Sequence, residues 1–297
     1  MTDDFMFPPR RTYIVPLAHG GVLPLGERTL VMGVLNITPD SFAEPKHLDT
    51  DAAVDAALRM EAEGADLLDI GGESTRPGAA PVSAVDELAR VLPVVQVLAG
   101  RLRIPISIDT YKASVARTCV AEGAALVNDI SGLRFDAALA GVVADTGAGL
   151  VLMHTRGRSG DMYAHAKYTD VVAEVGAELE ESVQRALAAG VPSDRLILDP
   201  GIGFAKRAAH SYGVLARLPE IAARFARPLL VGPSRKSFMS EALGERPAVE
   251  RDWGTAAAVS AAVLGGAHIV RVHAVAQMVQ VVRVADEIRK AALSDEN

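Results

Sequence analysis

The sequence predicts an α/β fold of the TIM (β/α)8 barrel type, and three observations carry that expectation. Strand-like and helix-like patterns alternate from residue 30 to residue 291. The strand-like runs are short and almost wholly apolar, as strands buried on both faces of a parallel sheet must be. Each run also ends in a polar cluster: VMGVLNITPDSF, LLDIGGESTRPG, IPISIDT, ALVNDI, LVLMH, LILDPGIGF, LLVGPSRKS and HIVRVH. Polar ends from eight strands converge on one face only if the sheet closes, and in a closed barrel that face carries the active site. An open doubly wound sheet competes, but it usually has fewer strands and a glycine-rich dinucleotide turn, and neither fits here.

The elements follow in order. Residues 12–29 place two apolar runs on either side of Gly20 and Gly21, which predicts a β-hairpin covering the N-terminal barrel mouth. Strands are expected near 30–36, 66–70, 104–108, 125–128, 149–153, 195–199, 228–232 and 268–272. Amphipathic helices are expected between them at 51–64, 84–101, 112–123, 136–147, 169–190, 211–225, 252–266 and 274–291. Gly64, Gly123, Gly147, Gly190 and Gly266 stand where helix C-caps belong. Pro8, Pro9 and the tail 292–297 read as loose ends. Without a linker or low-complexity stretch, residues 1–297 read as a single domain.

Bulk properties narrow the function. A length of 297 residues suits one large barrel or two average domains. Hydrophobic residues make up 49% and aromatics only 4%, so Ala, Val, Leu and Ile must fill the core. The formal charge is 30 minus 37, or −7, which argues against a nucleic-acid partner. Cys119 is the only cysteine, which excludes intrachain disulfides, disfavours thiolate metal clusters and fits a reducing compartment. The start MTDDFMFPPRR lacks the apolar core of a secretory signal, and no run reaches the ~18 apolar residues of a membrane helix. A soluble, cytoplasmic protein without a membrane partner is expected.

The chemistry must be sought at the strand ends. Asp109, Asn128 and Asp199 close the third, fourth and sixth runs. Polar groups ending apolar strands need a ligand or one another, because an unpartnered buried carboxylate is costly. Two carboxylates and an amide suit a flat heterocycle bearing N–H and NH2 donors. Helix capping is the competing reading, since Asp109-Thr110 and Asp199-Pro200 each precede a helix or turn; their corresponding positions in one barrel favour binding. A second group is electropositive: Arg76, Lys236, Arg271 and His273, with Asn36, Thr75, Ser234 and Ser237 nearby. Guanidinium forks and hydroxyl donors suit a phosphate or pyrophosphate. Loop charges of this kind are often no more than surface, but RVH inside an apolar strand is harder to explain so. His154 alone reads as structural. The seven histidines form no HxH or HExxH pair, which argues against zinc. Mg2+ carried by a diphosphate needs only one or two protein oxygens, and Asn36 offers one. There is no GxSxG elbow for a nucleophile.

Taken together, LNITPDSF (35–42), DIGGESTRPG (69–78), SIDT (107–110), NDI (128–130), LMH (152–154), LDPGIGF (198–204), GPSRKSF (232–238), GTAAA (254–258) and RVH (271–273) resemble dihydropteroate synthase. The nine segments occur in unbroken order from Val31 to the last helix. The resemblance implies a TIM-barrel transferase of folate biosynthesis. It would join 6-hydroxymethyl-7,8-dihydropterin diphosphate to 4-aminobenzoate, giving 7,8-dihydropteroate and pyrophosphate by a dissociative substitution. It further implies that Asp109, Asn128, Met153, Asp199, Phe204 and Lys236 bind the pterin. Asn36, Thr75, Arg76, Ser234, Arg271 and His273 would hold the diphosphate, with Mg2+ at Asn36. Phe42, Pro77, Phe204, Lys236 and Ser237 would enclose the aminobenzoate. Lys236, Asp109, Arg271, His273 and Glu44 would bear on the chemical step. The family is commonly homodimeric and is the target of sulfonamides.

The chain departs from the family in its first loop, where Ala43-Glu44-Pro45-Lys46 replaces Ser-Asp-Gly-Gly after DSF. Proline fixes φ where glycine left it free, so altered aminobenzoate affinity or sulfonamide sensitivity is one expectation and ordinary loop drift the other. Two further functions share the strand-end pattern. A pterin-binding methyltransferase needs no diphosphate cage. A non-catalytic pterin-binding paralogue should have lost the charged residues, and here they are retained.

Overall fold

The computed structural model describes residues 7–38, 50–76 and 78–294. Its first elements are the strands β1 (Tyr13–Pro16) and β2 (Val22–Leu25), paired antiparallel with Tyr13 opposite Leu25. Eight parallel strands follow: β3 (Leu30–Asn36), β4 (Leu67–Gly71), β5 (Ile106–Asp109), β6 (Leu126–Asp129), β7 (Gly149–Met153), β8 (Leu196–Asp199), β9 (Leu230–Val231) and β10 (Ile269–Val272). Each pairs with the next, and β10 returns to β3. The seam between β8 and β9 is held by the Leu198–Leu229 bridge and by Leu198 N–H donating to the Pro228 carbonyl at 3.0 Å. The sheet is thereby closed, as the eight apolar runs require.

Helices α1 (Thr50–Ala62), α2 (Ala84–Ala99), α3 (Ala113–Ala121), α4 (Leu139–Thr146) and α5 (Val171–Ala188) fill the crossovers up to β8. The helix expected at 211–225 is two, α6 (Ala208–Ala216) and α7 (Leu218–Arg224). Pro219 at the start of α7 has no N–H to continue the first helix, and Arg217 leaves helical geometry (φ −110°, ψ 21°). A four-residue helix, α8 (Ser240–Leu243), precedes α9 (Asp252–Leu264) and α10 (Val275–Ser294). Gly147 ends α4 in the left-handed region (φ 68°), where a side chain would be strained.

Strand alternation divides the barrel into two faces. Val31, Leu68, Ile70, Ile108, Val127, Leu150, Leu152, Leu198, Val231 and Val270 point outward into the layer shared with the helices. The other parity points inward. Its lower members, Leu30, Met32, Leu67, Leu126, Val151, Ile197, Leu230 and Ile269, form a separate apolar plug with Val15, Leu17, Leu23 and Leu25 of the hairpin. The hairpin therefore seals the N-terminal mouth. The upper members of the same parity are Asp69, Asp109, Asn128, Met153, Asp199 and Arg271, so the filled half of the barrel hands over directly to a polar half.

The first and last parts of the described chain are tied together. Asp286 of α10, 5% exposed, accepts from Arg10 at 3.0 Å and from Thr29 N and Oγ1 at 2.7 and 2.9 Å. Arg289 donates to the Pro8 carbonyl. His268 links the base of three segments: Leu229 N–H donates to its Nδ1 at 3.1 Å, and its Nε2 faces the Arg11 carbonyl at 3.1 Å.

Candidate active site

The polar half of the barrel is organised around one guanidinium. Arg271 rises from β10 and donates through Nε to Asp69 Oδ2 at 2.6 Å and through Nη2 to Asp109 Oδ2 at 2.7 Å. Asp69, wholly buried on β4, takes a second bond at the same oxygen from Asn128 Nδ2 at 2.9 Å. Asp69 Oδ1 is buried with no hydrogen-bond partner. Asp109 and Asn128 are register partners on adjacent strands, and Met153 stands opposite Asp199 on the next pair. Four strands thus deliver two carboxylates, an amide and a guanidinium into one connected array.

Sequence patterns gave Asp109, Asn128 and Asp199 but not Asp69. Asp69 lies inside the quoted segment DIGGESTRPG, in the middle of LLDIG rather than at its end. The available signal is parity: it is two residues past inward Leu67, and so faces the same interior. Arg271, grouped by sequence with the other cations, is bonded here to Asp69 and Asp109, so the structure joins the two groups that the sequence keeps apart.

Lys236 forms the opposite wall. Its Nζ donates to the Ile202 carbonyl and lies 4.4 Å from the Phe204 ring centroid, a cation–π placement. Burial pushes the Lys236 ammonium down to about 8, with Asp199 opposing and Arg271 adding to the depression. Burial drives the Asp109 carboxyl up to about 7 against the attraction of Arg271, helped by Asp69. Burial also raises Asp199, opposed by Lys236 and by the Gly201 N–H that it accepts at 2.7 Å.

His273 corrects one expectation. Grouped by sequence with the cations, it is pushed down to about 3 by burial and then by Arg271, Arg235 and Arg76, so it is neutral near pH 7. The Ser234 hydroxyl accepts from His273 N–H at 3.2 Å and sits 2.9 Å from Nδ1. The Ser234 hydroxyl can give its proton to Nδ1 or accept one from it, and in either tautomer the neutral ring keeps one N–H. Arg76 stays exposed beside half-buried Thr75. The intervening Arg235 turns away to Asp252 at 2.7 and 2.8 Å, leaving Ser234, Lys236 and exposed Ser237 along the rim.

Behind the Thr75–Arg76 turn lies a strut that the sequence did not disclose. Lys112 donates to Glu73 and to Glu87, which is fully buried, while Tyr111 Oη donates to Glu73 at 3.0 Å. A cleft of about 320 Å3 lies beside it, bordered by Tyr111, Phe135, Arg158, Met162 and Phe204. Asn36 is the last residue of β3, level with Gly71. Among the described residues no three His, Cys, Asp or Glu side chains gather as a metal site. Phe42, Glu44, Pro77 and the whole Ala43–Lys46 departure lie outside the described residues.

A closed barrel whose strand ends hold an Asp/Asn array beside arginine and lysine defines a class, the pterin-binding barrel enzymes; the model of the family described as pterin binding enzyme matches residues 32–273. The dihydropteroate synthase of Synechocystis sp. is 45% identical over 284 residues, covering 95% of this chain and 96% of that one. The structure of Burkholderia cenocepacia dihydropteroate synthase complexed with 7,8-dihydropteroate superposes with a TM-score of 0.84 at 42% identity, covering 97% and 99%. That of the Yersinia pestis enzyme with a sulfonamide drug complex gives 0.86 at 41%, covering 92% and 98%. The chain belongs to the dihydropteroate synthase family.

Proposed function

We propose that this barrel condenses 6-hydroxymethyl-7,8-dihydropterin diphosphate with 4-aminobenzoate, releasing 7,8-dihydropteroate and pyrophosphate. The observation that carries the reading is the Asn128–Asp69–Arg271–Asp109 array facing Lys236. Asp109 and Asp199 supply acceptors for the ring's N–H and NH2 donors, Asn128 adds an amide, and Met153 packs against the ring face. Bonds from Arg271 to Asp109, from Asn128 to Asp69 and from the Gly201 N–H to Asp199 hold these groups in place before substrate arrives, which lowers the cost of reorganisation.

Substitution proceeds by loss of the diphosphate first. The methylene C–O bond breaks, its electron pair leaves with pyrophosphate, and the positive charge spreads into the pterin. The neutral arylamine lone pair then forms the C–N bond, and the nitrogen sheds one proton to solvent. An arylamine is unprotonated at pH 7, so the step needs opposite charges stabilised and water excluded rather than a strong base. Arg76, Thr75 and Ser234 meet the leaving diphosphate. His273 adds an uncharged N–H, and Arg271 reaches from the ring array towards the same end. Lys236 and Phe204 border the arylamine, and Ser237 stands at the rim for its carboxylate. By resemblance, Phe42 and Pro77 enclose the same ring and the Glu44 carboxylate faces the cation.

Magnesium fits this donor set as a passenger on the diphosphate. Asn36 offers one hard oxygen, and no protein cage competes for the ion among the described residues. When bound, it would neutralise leaving-group charge, with Asn36 as the residue that holds it.

The reading includes a cytoplasmic homodimer open to sulfonamides that mimic aminobenzoate. Trp253, 89% exposed, shares an outward stripe of α9 with exposed Ala257 and Ala261, which supports association of two copies. None of the described helices is long and apolar enough to cross a membrane. Incubation with the pterin diphosphate, Mg2+ and radiolabelled aminobenzoate tests the activity, with labelled dihydropteroate and equimolar pyrophosphate as the expected products. Pterin binding without product would point instead to a non-catalytic relative, and methyl transfer from a reduced folate to a methyltransferase.

A further inference from the structure

Lys206 is only 1% exposed, yet its three partners include no carboxylate. Its Nζ lies 2.8 Å from His154 Nδ1 and donates to the carbonyls of Gly201 at 3.1 Å and Phe204 at 3.2 Å. Burial pushes its ammonium well down. Either charge state fills the same three positions. An ammonium donates three times; a neutral amine donates to the two carbonyls and accepts from His154.

The loop it holds, residues 200–205 between β8 and α6, is conformationally demanding. Gly201 and Gly203 have φ of 68° and 79°, and Ala205 has 47°. A Cβ at Gly201 would stand 1.9 Å from the His154 carbonyl, so the loop lies flush against the end of β7. The other side of the loop is the seat of Lys236. Lys236 Nζ bonds the Ile202 carbonyl and lies over the Phe204 ring, and a Cβ at Gly203 would stand 2.9 Å from Lys236 Cδ. The two lysines therefore grip one loop, Lys206 at the carbonyls of 201 and 204 and Lys236 at 202 to 204.

We infer that Lys206, oriented by His154, is the positioning residue for Lys236, holding the 200–205 loop in the one shape that seats the Lys236 ammonium between Ile202 and Phe204. Behind His154 the chain of contacts continues. His154 Nε2 lies 3.2 Å from Glu178 Oε2, out of line for a hydrogen bond, and Glu178 gathers Arg156 and Arg134 at 2.8 and 3.3 Å. The inference rests on the functional reading above only in giving Lys236 a substrate to meet.

The test compares Lys206→Met, which keeps the stem and removes the nitrogen, with His154→Asn and His154→Gln. Asparagine can replace Nδ1 and keep the bond to Lys206; glutamine mimics Nε2 and loses it. Two quantities are read: KM for aminobenzoate, and the pH dependence of trace acetylation at Lys236 by peptide mass spectrometry. The second needs no turnover. Asp199, Asp109 and Arg271 act on Lys236 and are retained in every variant; Lys206 also repels Lys236, and the histidine pair, which keeps Lys206, separates that charge from the positioning.

Lys206→Met and His154→Gln should raise KM about tenfold or more and move the Lys236 titration by at least half a pH unit. His154→Asn should stay within about twofold of the parent in KM. A folded Lys206→Met with unchanged KM and unchanged titration overturns the inference. If Lys206→Met does not fold, the histidine pair decides, and equal behaviour of Asn and Gln variants overturns it. A parent chain with no turnover but a Lys206-dependent Lys236 titration would count against the enzymatic reading and leave the positioning supported.

Discussion

At the scale of the residue, Asp69 explains how the site is prepared. One oxygen carries both the Asn128 amide and the Arg271 Nε–H, and the second bond is charge-assisted. Asp69→Asn keeps the volume but removes the charge, and a hydrogen bond to a charged group is worth about 1.5–3 kcal/mol. Pterin affinity should fall roughly 10–100-fold, while the fold, carried by the two apolar layers, should persist. Fluorescence titration with a pterin would show this, and undiminished affinity would refute the pre-organising role. Two other residues should set the working pH. Asp109, raised to about 7, is a carboxylate above that pH; Lys236, lowered to about 8, is an ammonium below that pH. Both required forms coexist only in a narrow window, so kcat/KM should rise through about 7 and decline beyond about 8. Asp109→Asn should erase the acid limb; a parent profile flat from pH 6 to 7.5 would show that Asp109 does not titrate in the free enzyme.

At the scale of the element, the hairpin and the barrel base act as one piece. Leu23, 4% exposed, belongs to the plug that the lower strand residues share with β1 and β2. Leu23→Ala should cost about 2–5 kcal/mol in urea unfolding, the range for a buried leucine that leaves a cavity. KM values should hold, because the site occupies the other end of the barrel. His268 adds a pH-dependent tie. Leu229 N–H occupies Nδ1, so the ring can carry only one proton, and burial depresses it to about 4. Its folded value lies below the ordinary 6.5, so acid protonates the unfolded chain first. The stability is whole above about pH 6.5 and is lost as pH falls towards 4, by up to ~1.4 kcal/mol per pH unit. Melting curves from pH 7 to pH 4.5 should be shallower in pH for His268→Gln than for the parent; identical slopes would remove His268 from the account. His154 and His273, both depressed to about 3, act in the same direction.

At the scale of the whole molecule, the site is an assembly of eight strand ends, and its ligand should report on the barrel. Binding to the folded form alone adds about 2.7 kcal/mol at a hundredfold excess over Kd. A pterin should therefore raise Tm by several degrees, and Asp69→Asn should lose most of that rise. Differential scanning fluorimetry checks both. The closed barrel was legible because strands buried on both faces leave no alternation to misread, and polar residues at their ends stand out against apolar runs. Asp109, Asn128 and Asp199 were visible for that reason. Asp69 was not, because one polar residue inside an apolar run looks like an interruption until the inward parity is known. Lys206 and Lys112 were invisible, since a lysine in a loop ordinarily belongs to water and only packing shows otherwise. The break at Arg217 turned on Pro219 at the head of α7, which amphipathic periodicity alone passes over. The neutral state of His273 comes from burial first and then from Arg271, Arg235 and Arg76, a sum that no linear pattern contains.

The clasp of Asp286 on Arg10 and Thr29, with Arg289 against Pro8, has a consequence for how the gene can be cut. The first described segment thus lies against the last helix, Pro8 on Arg289 and Arg10 on Asp286, so a peptide bridge between the two has little distance to cross. The barrel then becomes a ring of eight near-equivalent units with no privileged starting point. A circular permutant opened in the turn after α2, near Arg101, on the face away from the catalytic mouth, should assemble the same strand ends in a new order of synthesis.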